Sequence, residues 1–400
     1  MTLSRRRLLT TGGALAAATT TLGTTLGTAA AQPGRATPQQ KNSGAPLSFG
    51  RDGKFRIVQF NDTQDGHLTD RRTIEFIART LDEEQPDFAL INGDVINGSP
   101  QTARQVYQAI NNVVLPMESR SIPWALTFGN HDEDSLGNGT GVTEEKLVDF
   151  IRQYRFNRNA ADGELTGSAN THLSVRGSTG DDARFAIWLL DSGRYAPEAE
   201  LAGQSTDGNM GYDWIRPDQV RWYLDTSMEQ ERRHGRKVPG LMFFHIPTFE
   251  HHHMWFGRQF DSDEATHAEA VARHGIVGEK NEGIYTGLFN SGIYAAAFER
   301  GDVLGMYCGH DHINTFMGNY YGIELGYGPG TGFGTYGLND GTWDQHTLRG
   351  ARVFDLDEGA EQVYTGTRLV FARDYGVDMN PAAQPIDAPE PVPAYVTLPA

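Results

Sequence analysis

The sequence predicts an α/β fold with mixed β-sheets. Strand-like and helix-like segments alternate over residues 55–128, a pattern that is typical of βαβ units and therefore of parallel strand pairs. A continuous apolar run at residues 241–244 is typical of a strand that is buried on both faces. The interior of the 400-residue chain contains no linker-like stretch, which favours one large domain over residues 51–372.

Residues 1–31 are predicted to be an export signal. Arg5, Arg6 and Arg7 precede a weakly apolar stretch, and three alanines ending at Ala31 provide small residues for cleavage. This arrangement resembles a twin-arginine (Tat) signal peptide, so we expect a secreted or cell-envelope location. The stretch is too diluted by Thr and Gly for a membrane anchor, which needs roughly 18 or more strongly apolar residues. We therefore expect no transmembrane segment in the mature chain and a flexible, Pro- and Gln-rich leader over residues 32–50.

The first half of the domain should form the βαβ series. Apolar residues alternate with polar ones in the opening strand, and they recur at helical spacing in the segment that follows. Pro86 ends that first helix. In order, the predicted elements are strand 55–60, helix 70–84, strand 87–91, helix 101–117 and strand 122–128.

The second half is predicted to contain more strands than helices. Residues 171–175 and 184–190 are typical of a hairpin pair, and Pro217 begins an amphipathic helix. Strands 314–317, 323–327 and 351–356 are expected to complete a second sheet. The remaining predicted elements are helix 143–154, strand 241–244, helix 290–299 and strand 303–308. Residues 373–400 are rich in Pro and Ala and are expected to form a loose tail.

Charge and cysteine content exclude several classes of protein. The formal net charge is -17, with 34 Lys and Arg against 51 Asp and Glu, and no basic stripe is present. Nucleic acid is therefore not an expected partner. Cys308 is the single cysteine, which rules out a disulfide framework and is consistent with a space-filling residue in a buried strand. Nothing in the pattern indicates an oligomeric state.

Six polar side chains come directly after predicted strands. Because the carboxyl ends of parallel strands meet at one edge of a sheet, we expect these side chains to converge. Two ions about 3.5 to 4 Å apart need a bridging carboxylate, several imidazoles and a neutral oxygen donor. The set supplies all three and predicts a dinuclear metal centre formed, in chain order, by Asp62, Asp94, Asn130, His245, His310 and His312.

Roles follow from the chemistry of each residue type. We assign Asp94 to the bridging position, Asp62 and His312 to one ion, and the other three residues to the second ion. His131 follows a ligand without being needed as one, so it is free to protonate a leaving oxygen as a general acid. The alternative for His131 is a group that orients water.

Each residue also has a simpler interpretation when it is taken alone. Asp62 and Asp94 could occupy turns or helix N-caps. A lone histidine after an apolar run, such as His245, is more often a hydrogen-bonded core residue. The ordered combination of all six residues favours metal binding over these alternatives.

The ordered motifs resemble the five signature blocks of the calcineurin-like metallophosphoesterase superfamily. These motifs are Asp62, Gly93-Asp94, Gly129-Asn130-His131-Asp132, His245 and Gly309-His310-Asp311-His312. The segments IPWALTFGNHDED, FFHIP, GYDWIRPDQ and GHDHINTF are more closely similar to the purple-acid-phosphatase-like branch of Dcr2-type phosphatases. The resemblance covers residues 55–354. It implies a four-layer α/β/β/α sandwich and a phosphoester hydrolase with two divalent or trivalent ions drawn from Mn, Fe and Zn.

Two positions depart from the family pattern. The first block usually reads Asp-x-His, and here Gln64 occupies the histidine position. An amide oxygen can coordinate a hard cation, so Gln64 is retained as a metal ligand, although a weaker one than imidazole. Asn97 occupies the position of the tyrosine that gives purple acid phosphatases their colour. The resemblance therefore implies no purple charge-transfer band.

The leading hypothesis is an exported phosphatase that hydrolyses phosphate monoesters by attack of a metal-bridging hydroxide. A phosphodiesterase with the same dinuclear site is the first alternative. A non-catalytic extracellular binding protein on a degenerate phosphatase scaffold is the second, because of Gln64 and Asn97. The histidine-rich run His251-His252-His253 is expected to form a solvated loop, with contact to the substrate as its alternative.

Overall fold

Two mixed β-sheets form the centre of the computed structural model, which describes residues 44–161, 163–196, 211–257, 266–338 and 345–399. The five-stranded sheet has the order β11-β10-β1-β2-β3. Strands β1, β2 and β3 are parallel, whereas β10 is antiparallel to both of its neighbours. Its strands are β1 (Lys54–Phe60), β2 (Phe88–Asn92), β3 (Trp124–Thr127), β10 (Gly350–Asp357) and β11 (Tyr364–Phe371).

The six-stranded sheet has the order β4-β5-β6-β7-β9-β8. Strands β5, β6, β7 and β9 are parallel, and β4 and β8 pair antiparallel at the two edges. Its strands are β4 (Thr171–Arg176), β5 (Ala183–Leu189), β6 (Gly240–Phe243), β7 (Val303–Cys308), β8 (Met317–Tyr320) and β9 (Ile323–Tyr327). The predicted hairpin pair is therefore present as β4 and β5.

Seven α-helices are present among the described residues, and they cover the outer faces of the two sheets. They are α1 (Arg71–Glu84), α2 (Ala103–Ser119), α3 (Glu144–Ile151), α4 (Pro217–His234), α5 (Phe249–Phe256), α6 (His267–His274) and α7 (Ile293–Arg300). No helix in the described part of the chain is both long enough and apolar enough to span a membrane.

Three buried apolar clusters separate the layers. Alternate residues of one strand point to opposite faces, so Phe185 and Ile187 of β5 face the other sheet while Trp188 faces the outer helices. The central cluster joins the two sheets, and one outer cluster lies between each sheet and its helices. This arrangement confirms the predicted four-layer α/β/β/α fold with mixed sheets.

The strand predictions need three corrections. The strand predicted at residues 351–356 belongs to the first sheet, as β10 beside β1, and not to the second sheet. Strand β11 was not predicted, because most of its residues are partly exposed at a sheet edge and give no clear apolar alternation. The strand expected at residues 314–317 begins only at Met317.

The two ends of the domain also differ from expectation. Residues 1–43, which include the predicted signal and most of the predicted leader, lie outside the described residues. The end of that leader is packed, because Leu47 and Phe49 are buried and their backbones bond to Arg176. Hydrogen bonds fix the C-terminal segment to the domain, so it is not the loose tail that was expected. The buried Arg72 guanidinium, paired with Asp70 at 2.8 Å, donates to the carbonyls of residues 380 and 382.

Candidate metal centre

Loops after five parallel strands of both sheets bring the predicted ligands together. Asp62 follows β1, Asp94 follows β2 and Asn130 follows β3. His245 follows β6, and His310 follows β7. All five side chains leave the carboxyl ends of parallel strands, where open α/β sheets form their clefts.

Two groups of ligand atoms share Asp94. One group contains Asp94, His245 and His310, and the other contains Asp62, Asp94 and His312. The candidate ligand atoms within each group lie within 4.8 Å of one another. His245 Nε2 lies 3.2 Å from Asp94 Oδ2, and His312 Nε2 lies 3.5 Å from Asp62 Oδ1. A carboxylate common to two such groups has the geometry of a bridging ligand.

Several of these atoms are buried without a hydrogen bond. Among the described residues, no hydrogen-bond partner contacts Asp62 Oδ2, Asn130 Oδ1, His245 Nε2 or His310 Nε2. Buried polar atoms normally have partners, since an unpaired one costs roughly 1 to 3 kcal/mol. Four such atoms on four converging side chains fit a pair of bound cations, so the residues present suit a dinuclear centre.

Hydrogen bonds on the far side of two imidazoles fix their orientation. His245 Nδ1 lies 3.0 Å from the carbonyl oxygen of Asn92, so Nδ1 carries the proton and Nε2 presents a lone pair to the site. His312 Nδ1 lies 3.5 Å from the carbonyl oxygen of Tyr336, and its ring stacks on the Tyr336 ring with the two centroids 4.0 Å apart. Both side chains are thereby prepared to act through Nε2.

The charge of the site suits cations. Burial and the charge of Asp94 raise the pKa of Asp62 to about 8. Burial acts to lower the pKa of His245, but Asp94 and Asp62 outweigh it and raise that pKa to about 10. The two carboxylates thus attract positive charge, which a metal ion can supply in place of a proton. Burial lowers the pKa of His312 to about 3, which keeps that ring neutral as a ligand must be.

The backbone is held in a sparsely populated conformation at four site residues. Asp62, Gln64, Asp94 and His310 have φ of 48°, 31°, 47° and 73°. Residues other than Gly rarely adopt this left-handed backbone conformation, and those that do cluster at functional sites. Backbone bonds from Asp62 N to Gly93 O (3.1 Å) and from Gln64 N to Asp94 O (2.9 Å) join the two loops and hold this geometry.

Gly129 is required by a close approach. A Cβ at this position would lie 2.4 Å from Asp94 Oδ1 and 2.5 Å from His245 Cδ2. The chain can therefore turn after β3 and pass between two candidate ligands only if this residue has no side chain.

His131 lies beside the two groups with its ring partly open to solvent. Its Nδ1 is 2.5 Å from Asp134 Oδ2, and its backbone N–H donates to Asp94 Oδ1 at 2.8 Å. Burial acts to lower the pKa of His131, but the hydrogen bond to Asp134 and the charge of Asp94 raise it overall. The raised pKa favours the protonated imidazole, which is the form that a general acid needs.

Arg194 is a site residue that sequence reasoning missed. It donates to Glu133 and Asp134 at 2.9 Å each, and to the carbonyl oxygen of Asn130 at 3.1 Å. The carboxylate that contacts His131 is therefore fixed by an arginine about 60 residues away in sequence. Asp134 could have been found from its i, i+3 spacing to His131, but no sequence signal distinguishes Arg194 from other arginines.

The two departures from the family pattern lie in separate loops, Gln64 after β1 and Asn97 after β2. Gln64 Oε1 accepts a hydrogen bond from Thr335 Oγ1 at 2.6 Å, and that hydroxyl lies 3.5 Å from His312 Nδ1. Asn97 uses its side-chain oxygen to accept from Ser99 N at 2.9 Å. The Gln64 amide oxygen is therefore bonded to Thr335 beside His312, and its role as a metal ligand stays a prediction.

The histidine-rich run is not a solvated loop. It lies within α5, and His251 is fully buried, with its ring near those of Phe244 and Tyr327. Thr248 Oγ1 contacts its Nδ1 at 3.1 Å. The sequence prediction was wrong here, because three consecutive polar residues can still place one side chain on the inner face of a helix.

Comparison with known proteins identifies the family of the chain. The calcineurin-like phosphoesterase family matches residues 55–314. The chain is 30% identical to "Probable inactive purple acid phosphatase 29" of Arabidopsis thaliana over 351 residues, which cover 80% of each chain. It is 26% identical to "Phosphatase DCR2" of Saccharomyces cerevisiae over 80% of this chain and 54% of that protein. A solved dimetal phosphatase of Danio rerio is 12% identical, with a TM-score of 0.45, and the match covers 80% of this chain and 99% of that one.

The family match covers well over half of the chain, and the relatives include the purple-acid-phosphatase-like and Dcr2 proteins that the sequence motifs resemble. The chain therefore belongs to the calcineurin-like phosphoesterases, and it is a metal-dependent phosphoester hydrolase of that family.

Proposed function

We propose that this protein is an exported phosphatase that hydrolyses phosphate monoesters at a dinuclear metal centre. The observation that carries the proposal is the pair of ligand groups that share Asp94. The unpaired buried atoms on Asp62, Asn130, His245 and His310 support the same conclusion. When bound, two cations would supply an activated water nucleophile and would offset the charge that develops on the phosphoryl group.

The side chains of the protein hold the centre in place and supply a proton. The Asp62 and His312 side chains would hold one cation, and Asp94 would be shared with the His245 and His310 group. His131 protonates the leaving oxygen from the opposite end of the reacting phosphorus, as in-line displacement requires. Asp134, fixed by Arg194, keeps the His131 ring in one orientation and favours its protonated form.

Two other functions use the same scaffold. A phosphodiesterase would need the same ions and a cleft that admits a second ester group. A non-catalytic binding protein is the other candidate, since three relatives from Arabidopsis thaliana are named probable inactive purple acid phosphatases and Gln64 departs from the family pattern. Two groups of candidate ligands share Asp94, and this favours catalysis.

A pair of chromogenic esters separates the three functions. Metal-loaded protein should hydrolyse p-nitrophenyl phosphate faster than bis-p-nitrophenyl phosphate. The reverse order would indicate a diesterase, and no turnover of either ester with Mn, Fe or Zn would support the binding protein. Each lost ligand removes several kcal/mol of charge stabilisation, so Asn130→Ala and His310→Ala should each reduce kcat/KM by roughly 100-fold or more. His253→Ala is the matched control, because this partly exposed residue of α5 lies outside both ligand groups.

Export is tested separately. Replacing Arg5, Arg6 and Arg7 by lysine keeps the positive charge and removes the paired arginines. If the Tat route is used, the variant should stay inside the cell with its signal uncleaved. Normal export of this variant would contradict the proposed route without affecting the proposed chemistry.

A further inference from the structure

Two tyrosine side chains form an aromatic pair beside the candidate metal centre. Tyr195 lies in the loop after β5, and Tyr212 lies in the segment GYDWIRPDQ. A short antiparallel bridge joins their backbones, which places both side chains on one face of the bridge. The two ring centroids are 5.9 Å apart, and the ring planes differ by 28°. The proposed reaction gives neither ring a role.

Each ring of the pair contacts residues of the candidate site. Asn130 Nδ2 donates to the Tyr195 hydroxyl at 3.1 Å. The Tyr195 ring is nearly perpendicular to the His131 ring, with the centroids 6.3 Å apart. The Tyr212 ring packs in the same way against the His310 ring, with the centroids 4.3 Å apart. The pair therefore forms a wall beside two candidate metal ligands and the general acid.

The Tyr195 ring is accessible to a ligand. This residue is 42% exposed, although the hydrogen bond from Asn130 and the contact with Tyr212 fix its position. A large aromatic side chain exposed beside a catalytic cleft is typical of a ligand-binding surface. A ring that is already fixed loses little conformational entropy when a ligand packs against it, so more of the contact free energy contributes to binding.

The position of the general acid determines where the organic group of a substrate lies. This step rests on the proposed function, in which His131 protonates the leaving oxygen. That oxygen must come within hydrogen-bond reach of the His131 imidazole, so the organic group bonded to it lies next to His131. The Tyr195 ring packs against His131 and therefore lies beside the organic group.

The charges around the pair favour an organic group without further negative charge. The arginines that lie nearest the two tyrosines in sequence already have acidic partners. Arg194 pairs with Glu133 and Asp134 at 2.9 Å each, and Arg216 pairs with Asp213 at 2.7 Å. A second phosphate or carboxylate on the substrate would approach these three carboxylates and gain no unpaired charge from the two arginines.

We propose that Tyr195 and Tyr212 determine substrate specificity by binding an aromatic ring in the organic group of the ester. The substrate class is then a phosphate monoester of an alcohol or phenol whose aromatic ring carries no additional charge. Aromatic rings attract one another in offset-stacked or perpendicular arrangements, and each such contact contributes beyond the burial of its area. A third ring can extend the existing pair in either arrangement.

Benzyl phosphate and ethyl phosphate test the preference in protein loaded with Mn²⁺. Both esters release a primary alcohol of similar acidity, so the aromatic ring is the main difference between them. Wild-type kcat/KM should be roughly tenfold higher for benzyl phosphate, as expected for one added aromatic contact. Tyr195→Leu should reduce the ratio of the two values to about threefold or less, because the leucine side chain has no aromatic face. Tyr195→Phe keeps the ring and should keep the ratio.

The ratio also separates ring binding from damage to the metal centre. A loss of metal in either Tyr195 variant would lower both kcat/KM values and leave their ratio unchanged. Tyr321→Leu is the matched control, because Tyr321 is 58% exposed and lies between β8 and β9, at the opposite sheet edge from the carboxyl ends of the parallel strands. Equal values for the two esters in wild type, or an unchanged ratio in Tyr195→Leu, would overturn the proposal.

A binding measurement distinguishes this inference from the proposed function. Hydrolysis of neither ester would contradict the phosphatase function, but ring binding can still be measured by calorimetry with phosphonates, which are not hydrolysed. Benzylphosphonate should bind Mn²⁺-loaded wild type roughly tenfold more tightly than ethylphosphonate or cyclohexylmethylphosphonate, and Tyr195→Leu should lose most of this difference. Equal affinities for benzylphosphonate and either of the other two compounds would overturn the aromatic preference.

Discussion

The close approach at Gly129 provides a quantitative test of the candidate metal centre. In Gly129→Ala, the new Cβ would meet Asp94 Oδ1 at 2.4 Å and His245 Cδ2 at 2.5 Å. Ordinary contact begins near 3.4 Å, so the neighbouring groups must move by about 1 Å. The backbone nitrogen of Asp94 lies at 2.6 Å, which prevents relief by a side-chain rotation alone.

Both the stability and the activity of Gly129→Ala should fall. Overpacking of a buried site costs about 1 to 3 kcal/mol, which urea unfolding measures. A displacement of about 1 Å at reacting groups can reduce the rate by about 100-fold, which should appear in kcat/KM for p-nitrophenyl phosphate together with a lower metal content.

Gly137→Ala is the matched control for this substitution. A Cβ at Gly137 meets no atom within 4 Å, so its stability and activity should equal those of wild type. If Gly129→Ala also kept full activity and metal content, the loop after β3 could not pass between two metal ligands, and the site geometry would be incorrect.

Two further predictions concern protons. His131→Gln should reduce kcat by about 100-fold or more for phenyl phosphate but by much less for p-nitrophenyl phosphate, whose leaving group needs little protonation; equal losses on both esters would exclude the general-acid role. Burial lowers the pKa of His251 to about 3, so the folded state resists protonation while the unfolded chain takes up a proton below about pH 6.5. Stability should therefore fall as the pH drops from 6.5 towards 3, and His251→Gln should reduce this slope by up to about 1.4 kcal/mol per pH unit in urea unfolding at pH 4 to 6. An unchanged slope would show that His251 is not buried as a neutral ring.

Local patterns predicted the positions of the candidate ligands well because strand exits determine them. Asp62, Asp94 and Asn130 each follow an apolar run, and the sheet brings the ends of such runs together without further information. The α/β class with mixed sheets followed from the alternation of strands and helices, whereas the four-layer arrangement was implied by the family resemblance.

Features that depend on distant pairing could not be predicted in this way. The sequence of β10 predicts a strand. Its position beside β1, however, results from pairing between segments almost 300 residues apart. Arg194 becomes a site residue only because the fold places it against Asp134 and the Asn130 carbonyl. The buried pair of Asp70 and Arg72 likewise fixes a C-terminal segment whose composition suggested a loose tail.

Elemental analysis of the purified protein tests most directly the claim that two metal sites share Asp94. Wild-type protein should contain about two Mn, Fe or Zn ions per chain, as a dinuclear centre requires. His312→Ala removes a ligand from one group and should retain about one ion, whereas Asp94→Asn alters both groups and should retain almost none. Wild-type protein without bound metal, or Asp94→Asn protein that keeps both ions, would contradict the shared-carboxylate centre.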